Sequence, residues 1–583
     1  MCGIVGKINL NNENVKKEEI QKMINVLRHR GPDGENIYIN NNIGFGHVLL
    51  KIQDLSDESV QPYEFENLIM TYNGEIYNYK ELKTDLKEKG YAFDTKGDTE
   101  VLIKYIHCFG LEETLNRIEG CYAIGLYNKE SGEKYIIRDR LGIKPLYYYL
   151  DNRKLVFASE IKSIIEDKSI KRQFDLETIA ISLNCKLWMD QEKTLFKNIN
   201  MLKPGTYIKI NEKNNVEIIK YYELKFSSEY QSPQKLINDF SKEFIDSVKK
   251  KQISKVPIAA FLSGGIDSSL VCKLLNDNMD SKLNTYTIHY DYDNDLDLNY
   301  ANKLKEDEGF EQHNILITED MYNLDNIDKV TYFVEEILID KVYIPMYFNY
   351  KAAKADGYTV VVSGQGSDEV WLGYVYVWKI FQYLDKSISY DGLLNDYYLR
   401  NMIFKDNINS EMKSIIKKAM LNYLKKNLQL NKNDLLNSYA DLSLKTILHD
   451  LLMQEDKIAM ANSVESRVPF VDNHRIVELA YKASSNIKLY DNREKYIVRK
   501  FAEGKINKEI IEREKYPFPE PPSVYNGKIK KICSANWNEI KESNIIKKII
   551  DNEKINDINS FKDIELWTIL VYWRFEKVFD MEV

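Results

Sequence analysis

Paired cysteines are missing from this chain. Its six cysteines, at 2, 108, 121, 185, 272 and 533, are spread through 583 residues with no C-x-x-C pair, which argues against a disulfide framework or a zinc knuckle and fits a reducing cytoplasm. A basic surplus is missing too. The net charge of -8 offers a nucleic-acid backbone no general attractive field. Apolar runs such as "YTVVVSG" fall far short of the roughly 20 residues a membrane helix needs. The opening "MCGIVGKINLNNENVKKEEI" has neither a basic n-region with a long apolar run nor a small-residue cleavage site, so no signal peptide is expected. Internal repeats and low-complexity tracts are absent. The expectation is a cytoplasmic protein that binds neither nucleic acid nor membrane.

What is present is length and an ordinary globular composition. At roughly 150 residues per domain the chain has room for two to four domains, and 44% hydrophobic residues supply a large core. In the first part "GIVGKINL" reads as a strand, and Ile20, Met23, Ile24 and Leu27 recur at helical spacing until "HRGPDG" breaks the pattern. Further strands follow at "LIMTYN", "CYAIGLYN", "EKYIIRDR" and "LYYYL". Between them Asp98 or Thr99 is placed to cap a helix burying Val101, Leu102, Tyr105 and Ile106. This order suggests layered sheets covered by helices. Polar "YYELKFSSEYQSPQ" separates it from a second pattern, strand "VPIAAFL", loop "SGGIDSS", helix "LVCKLLN", strand "LNTYTIHY", with another strand-to-loop transition at "YTVVVSGQGSDE". Buried β-branched strands alternating with helices predict a parallel α/β sheet. From about 375 to 583 the pattern is mostly helical. Domain limits are therefore set at 2–222, a linker at 223–234, and 235–583.

Two kinds of chemistry stand out. Cys2 follows the initiator methionine, and removal of Met1 would put a thiol and a free α-amine on one residue, a nucleophile with its own base. In an open parallel sheet ligands collect beyond the carboxyl ends of the strands. There "SGGIDSS" offers the backbone of Ser263, Gly264 and Gly265 and the hydroxyls of Ser268 and Ser269 to an anion at a helix start. Asp267 in that loop would repel phosphate unless a divalent cation bridged them, and Mg²⁺ is the natural candidate. The loop lacks the lysine of G-x-x-x-x-G-K-[ST], which disfavours a P-loop NTPase. "SGQGSDE" places a second carboxylate, Asp368, at another strand end. A single such loop is as readily a tight turn as a site; two in one sheet point to phosphate and metal.

The chain resembles the glutamine-hydrolysing asparagine synthetases over nearly its whole length. "MCGIVG", "RHRGPDG", "NGEIYN", "GDTEVL", "RDRLGIKPLYY" and "FASEIK" are similar to a layered αββα N-terminal-nucleophile glutaminase. "LSGGIDSS", "SGQGSDEV", "DKIAMANSVESRVPFVD" and "REKYIVRK" are similar to a parallel-sheet ATP-pyrophosphatase (PP-loop) synthetase domain with a helical C-terminal region. The resemblance implies that Cys2 attacks the glutamine carboxamide, that Asn73, Gly74, Glu75 and Asp98 hold the glutamine, and that Asn73 and Gly74 form an oxyanion hole. It implies nucleotide contacts from Leu262, Ile288, Ser363 and Gly364 beside the first loop, metal ligation by Asp267 and Asp368, and charge stabilisation by Lys495. The implied reaction uses ATP and Mg²⁺ to adenylate a carboxylic acid, aspartate first, and ammonia then displaces AMP. An apolar interdomain tunnel is expected for the ammonia, and a homodimer is allowed. Arg467 is read as a buried structural arginine outside the catalytic set.

Three departures stand against the family pattern. Leu49 in "HVLLKI" occupies the place of an arginine that grips glutamine, a loss of about 1.5–3 kcal/mol unless Lys51, two residues on, replaces it. Gln365 stands where the family has a glutamate that serves acyl-adenylate formation and takes the ammonia proton, and an amide accepts no proton at neutral pH. Glu335, Glu336 and Asp340 in "FVEEILIDKVYIP" are alternative acids there, or else a solvated charge cluster. That segment also lacks the family's Thr/Arg/Ser-rich acceptor sequence. Amidation of a different acid is accordingly the second reading, and a non-catalytic binding or regulatory protein the third.

Overall fold

The computed structural model describes all residues except 185–189, 292–294, 376–388, 396–401, 432–433, 516–520 and 523–524. Cys185 lies outside the described residues; the other five cysteines are free.

Residues 2–220 form two six-stranded antiparallel sheets. One runs in the order Ile199–Met201, Tyr147–Leu150, Lys154–Ala158, Cys2–Asn9, Ile43–Leu49, Gly34–Asn40; the other Val216–Lys220, Thr206–Ile210, Lys134–Arg138, Gly120–Asn128, Leu68–Ile76, Tyr63–Phe65. Alternation along the strands sends Ile4, Ile8, Phe45, Ile69, Ile136 and Phe157 into the layer between the sheets. Helices Tyr79–Glu88 and Asp98–Phe109 cover the outer face of the second sheet through Leu82, Leu86, Val101 and Leu102. Helix Lys17–Asn25 covers the first through Ile20, Met23 and Ile24. This is the expected αββα layering. The helix at 98 begins differently from its sequence reading: Gly97 is the N-cap and Asp98 the first helical residue. The Asp98 carboxylate is taken by Tyr72 and the Ile76 amide, so neither Asp98 nor Thr99 caps the helix.

Residues 221–232 carry no regular secondary structure apart from a bend at Gln231, and helix Pro233–Lys250 follows. The second half is built on a five-stranded all-parallel sheet, ordered Glu311–Ile317, Asn284–Tyr290, Ile258–Phe261, Val360–Val362, Glu465–Arg467. Helices Ile266–Asn276, Leu296–Glu308 and Tyr343–Ala355 pack on it, as βαβ crossovers require. The helical reading of 375–583 misses one element: the three-residue strand Glu465–Arg467 pairs in parallel with Val360–Val362 and completes the sheet. Its sequence "ESR" is polar, and it is buried because its side chains find charged partners across the domain boundary.

The C-terminal helix Asp563–Phe579 ties the molecule together. Trp567 donates from Nε1 to the carbonyls of Leu338 and Ile339 at 2.7 and 3.0 Å, holding the 335–345 segment in place. Phe575 and Phe579 pack tilted and edge-on against Phe196 of the first half, and Phe174 N–H bonds the Glu582 carbonyl at 2.9 Å.

Candidate active sites

Strand pairing sets Cys2 opposite Leu49, and the next residues of that strand end, Leu50, Lys51, Ile52 and Gln53, line one cleft with Cys2, Tyr72, Gly74, Glu75 and Asp98. The Cys2 backbone nitrogen donates to Asn73 Oδ1 at 2.9 Å. Asn73 Nδ2 is buried without a partner, a donor held ready beside the thiol. An added Cβ at Gly74 would lie 2.2 Å from the Cys121 carbonyl, so only glycine allows this strand to pass so close to its neighbour. Asp98 Oδ2 accepts from Tyr72 OH and Ile76 N, both at 2.8 Å, yet burial still pushes its carboxyl up. Burial, with Glu465 and Asp98 nearby, pushes Glu75 to about 8. Gln53 donates to its Oε2, and Arg467 Nη2 lies 3.8 Å from Oε1. Burial also pushes the Cys2 thiol up, against the pull of the neighbouring ammonium.

With Met1 attached, the Cys2 nitrogen is an amide. The Met1 ammonium is buried and pairs with Glu465 at 2.8 Å. Burial alone would raise Glu465, but the ammonium, Arg467 and Lys144 hold it down at about 2.

The second cluster forms at the carboxyl ends of the parallel strands. Leu262 directly follows the strand Ile258–Phe261, its N–H donating to Tyr286 O at 3.0 Å and its carbonyl accepting from Thr287 Oγ1 at 2.7 Å. Ile288 is buried one strand over. Ser263, Gly264 and Gly265 lead into helix Ile266–Asn276, and Ser268 Oγ takes the Ser263 N–H at 3.2 Å. The Ser269 hydroxyl is buried without a partner. The two loops touch: a Cβ at Gly364 would stand 2.7 Å from Ser268 N. Lys495 Nζ bridges the two carboxylates, 2.5 Å from Asp267 Oδ2 and 2.6 Å from Asp368 Oδ1. Lys495 holds a left-handed backbone, φ +51°, a cost of order 1–3 kcal/mol of the sort found at functional positions. Lys515, which the sequence reading missed, sits 2.9 Å from Asp368 Oδ2. Burial raises Asp368, but Lys495 and Lys515 outweigh it and hold the carboxyl at about 2. Glu369, also missed, is pushed to about 7 by burial and by Asp368. Asp267 Oδ1 is buried and unpartnered. Two neighbouring carboxylates, one with an unpartnered buried oxygen, suit Mg²⁺, which takes one or two protein carboxylates plus substrate phosphates. No cluster of three or more metal-binding side chains occurs among the described residues.

Side chains from both halves of the chain interlock around the Cys2 cleft. Arg30 donates from Nε to the Cys2 carbonyl at 3.1 Å, from Nη1 to Glu160 at 2.9 Å, and from Nη2 to Asp456 of the second half at 2.8 Å. Arg467 spends Nε on Glu465 and Nη1 on the carbonyls of Lys251 and Ile253, and its remaining nitrogen faces Glu75. Met1, Leu50, Ile52, Val360 and Met460 form a separate apolar cluster between the halves.

A glutamine amidotransferase domain model matches residues 1–222 and an asparagine synthase model matches residues 239–570. The chain belongs to the asparagine synthase family. It is 29% identical to the glutamine-hydrolysing asparagine synthetase 1 of Bacillus subtilis, over 98% of this chain and 96% of that one. It is 35% identical to a putative asparagine synthetase of Methanocaldococcus jannaschii over 64% and 76%, and 25% identical to an amidase of Gibberella zeae over 88% and 86%. Asparagine synthase family membership makes this chain a glutamine-dependent amidotransferase and a ligase of the ATP-using kind. No helix among the described residues is long and apolar enough to cross a membrane.

Within that family frame, the 335–345 segment differs from its sequence reading. Glu335 is not solvated. Its carboxylate accepts the amides of Ile161 at 2.9 Å and Lys162 at 2.6 Å and pairs with Lys457 and Lys162 at 3.0 Å each. A left-handed φ of +59° turns it across the boundary, so its carboxylate joins the two halves. Glu336 is half-buried, and desolvation of its carboxyl pushes it to about 8.

Proposed function

We propose that this protein makes an amide from glutamine nitrogen and a carboxylic acid, with cleavage of ATP to AMP and pyrophosphate, and that the acid is aspartate. The observation that carries the first half is the Cys2 nitrogen seated 2.9 Å from Asn73 Oδ1 in the cleft that holds Glu75 and Asp98. After loss of Met1 that nitrogen is an amine beside its own thiol. Cys2 attacks the carboxamide, the amine relays the thiol proton to the departing ammonia, and Asn73 Nδ2 with the Gly74 amide holds the oxyanion. Glu75, Asp98 and Lys51 serve the amino-acid end of glutamine.

In the second half Ser263, Gly264, Gly265, Ser268 and Ser269 receive the phosphates, and Leu262, Ile288, Ser363 and Gly364 border the nucleotide. Asp267 and Asp368 would hold Mg²⁺, which supplies neutralising charge to the phosphates. Lys495, freed from their carboxylates, steadies the charge that builds as pyrophosphate leaves. A carboxylate resists nucleophiles, and the acyl-adenylate removes that resistance.

A second acceptor is favoured by a specific observation. Lys341, the lysine of the 335–345 segment, donates to Asn526 at 2.7 Å, and Gln365 brings no charge, so a less highly charged acid than aspartate fits the region as well. Acid-dependent ATP–pyrophosphate exchange, aspartate first, tests the reading. Exchange, and AMP as the nucleotide released in the complete reaction, are expected; ADP as product, or active enzyme that retains Met1, overturns it, and exchange with another acid alone selects the second acceptor.

A further inference from the structure

Arg467 belongs to the second half of the chain, yet one of its nitrogens faces the glutamine cleft of the first. It closes the short strand Glu465–Arg467 and is 1% exposed. Nε donates to Glu465 at 2.6 Å, and Nη1 donates to the carbonyls of Lys251 and Ile253 at 2.7 and 2.9 Å, so three bonds fix the plane of the guanidinium. Nη2 is buried without a hydrogen-bond partner and stands 3.8 Å from Glu75 Oε1. An arginine that served the fold alone would ordinarily have that donor satisfied as well. Glu75 is itself buried, lines the Cys2 cleft with Asp98, and accepts from Gln53 on its other oxygen. Three carboxylates, Glu75, Asp98 and Glu465, thus crowd one dry region. Like charges at close range oppose ionisation, and a neighbouring cation restores it.

We propose that Arg467, reaching across from the second half, is a positioning residue of the glutamine site, holding the Glu75 carboxylate in place and in its charged form to receive the α-ammonium of glutamine. Burial, Glu465 and Asp98 push Glu75 up to about 8, while Arg467 and the ammonium at the chain start pull the other way. The remaining titratable groups facing Glu75, the Cys2 thiol and the phenols of Tyr72 and Tyr79, are all pushed up and uncharged at neutral pH. Below its titration Glu75 offers the ammonium a neutral carboxyl, so glutamine use has an acid limb, and loss of the guanidinium moves that limb to higher pH. The backbone of the same residue gives a control. The Arg467 carbonyl accepts the Ser363 N–H at 2.9 Å, so a variant that merely unseats the strand also disturbs the loop bordering the nucleotide, and the synthetase reaction would record it.

The inference rests on the proposed glutaminase reaction, and glutamate release by the full-length protein tests both. In Arg467→Met the acid limb of kcat/KM for glutamine should move up by about one pH unit or more, the effect of an opposite charge within a few ångströms. Below the limb the charged fraction falls tenfold per unit, so the glutamine KM at pH 7 should rise roughly tenfold with kcat little changed. Acid-dependent ATP–pyrophosphate exchange should be kept. Arg467→Lys, which retains the charge, should return the limb toward its wild-type position. An unmoved limb and KM in Arg467→Met, losses of equal size in glutamine use and exchange, or a limb in Arg467→Lys no nearer the wild type than in Arg467→Met overturns the proposal. If Arg467→Met does not fold, Arg467→Gln, whose amide can still donate to a backbone carbonyl, takes its place with the same expected and overturning results. Wild-type protein that releases no glutamate from glutamine overturns the glutaminase reading itself.

Discussion

A single residue can be read for its chemistry from sequence only when its role is local. Cys2 is such a case, because a thiol behind a removable methionine carries nucleophile and base together. Leu49 and Lys51 are another: Leu49 leaves the glutamine α-carboxylate without the family's arginine, and both residues line the cleft with Glu75 and Asp98. Lys51→Ala should therefore raise the glutamine KM by roughly tenfold to a hundredfold, the worth of about 1.5–3 kcal/mol for a charged hydrogen bond, while ammonia-dependent synthesis is preserved. Steady-state kinetics with each nitrogen source checks it, and an unchanged glutamine KM would assign the carboxylate to another cation. Lys515 and Glu369 were not legible in this way. Each matters because the fold sets it against Asp368, and neither sits in a spacing that announces it.

At the scale of elements, the strands and helices around both sites follow their periodicity. The boundaries that failed were set by polar contacts. Asp98 reads as a cap because Asp is a good cap, but Tyr72 and the Ile76 amide claim its carboxylate. "ESR" reads as anything but a buried strand until Met1, Glu75 and the carbonyls of Lys251 and Ile253 surround it. Helix His449–Ala461 shows why such contacts bear on function. Glu455, Asp456 and Lys457 reach Ser466, Arg30 and Glu335 in turn. Arg30→Met should strip one partner from Glu160 and Asp456 at once, at a cost of about 3–5 kcal/mol for a broken buried pair. Lowered thermal stability, with glutamate released in excess of amide formed, is the expected result. Stoichiometric coupling in that variant would show that Arg30 does not join the two sites.

Across the whole molecule the interface between the halves is rich in buried ionisable groups, and that makes stability depend on pH. Glu336, pushed to about 8 by burial and by Asp450 and Glu335 against Lys457, is the clearest. Below about pH 4.5 the group is protonated in both folded and unfolded chains and has no effect. Between about 4.5 and 8 the folded state keeps a proton that the unfolded chain releases, so stability falls as pH rises. Above about 8 the penalty is constant. Glu336→Gln should flatten the decline of Tm between pH 5 and 8, as scanning calorimetry would record; an unaltered decline would place its origin in other groups.

By itself the sequence determined the two fold types, the thiol at position 2, the two glycine-containing strand-end loops and the departures at Leu49 and Gln365, because periodicity, glycine placement and side-chain chemistry act over a few residues. Only the tertiary structure decided that Glu335 joins the two halves and that Arg467 reaches Glu75. Such pairings join residues about 120 to 390 positions apart, and the energy of a buried charge depends on which partners folding brings close.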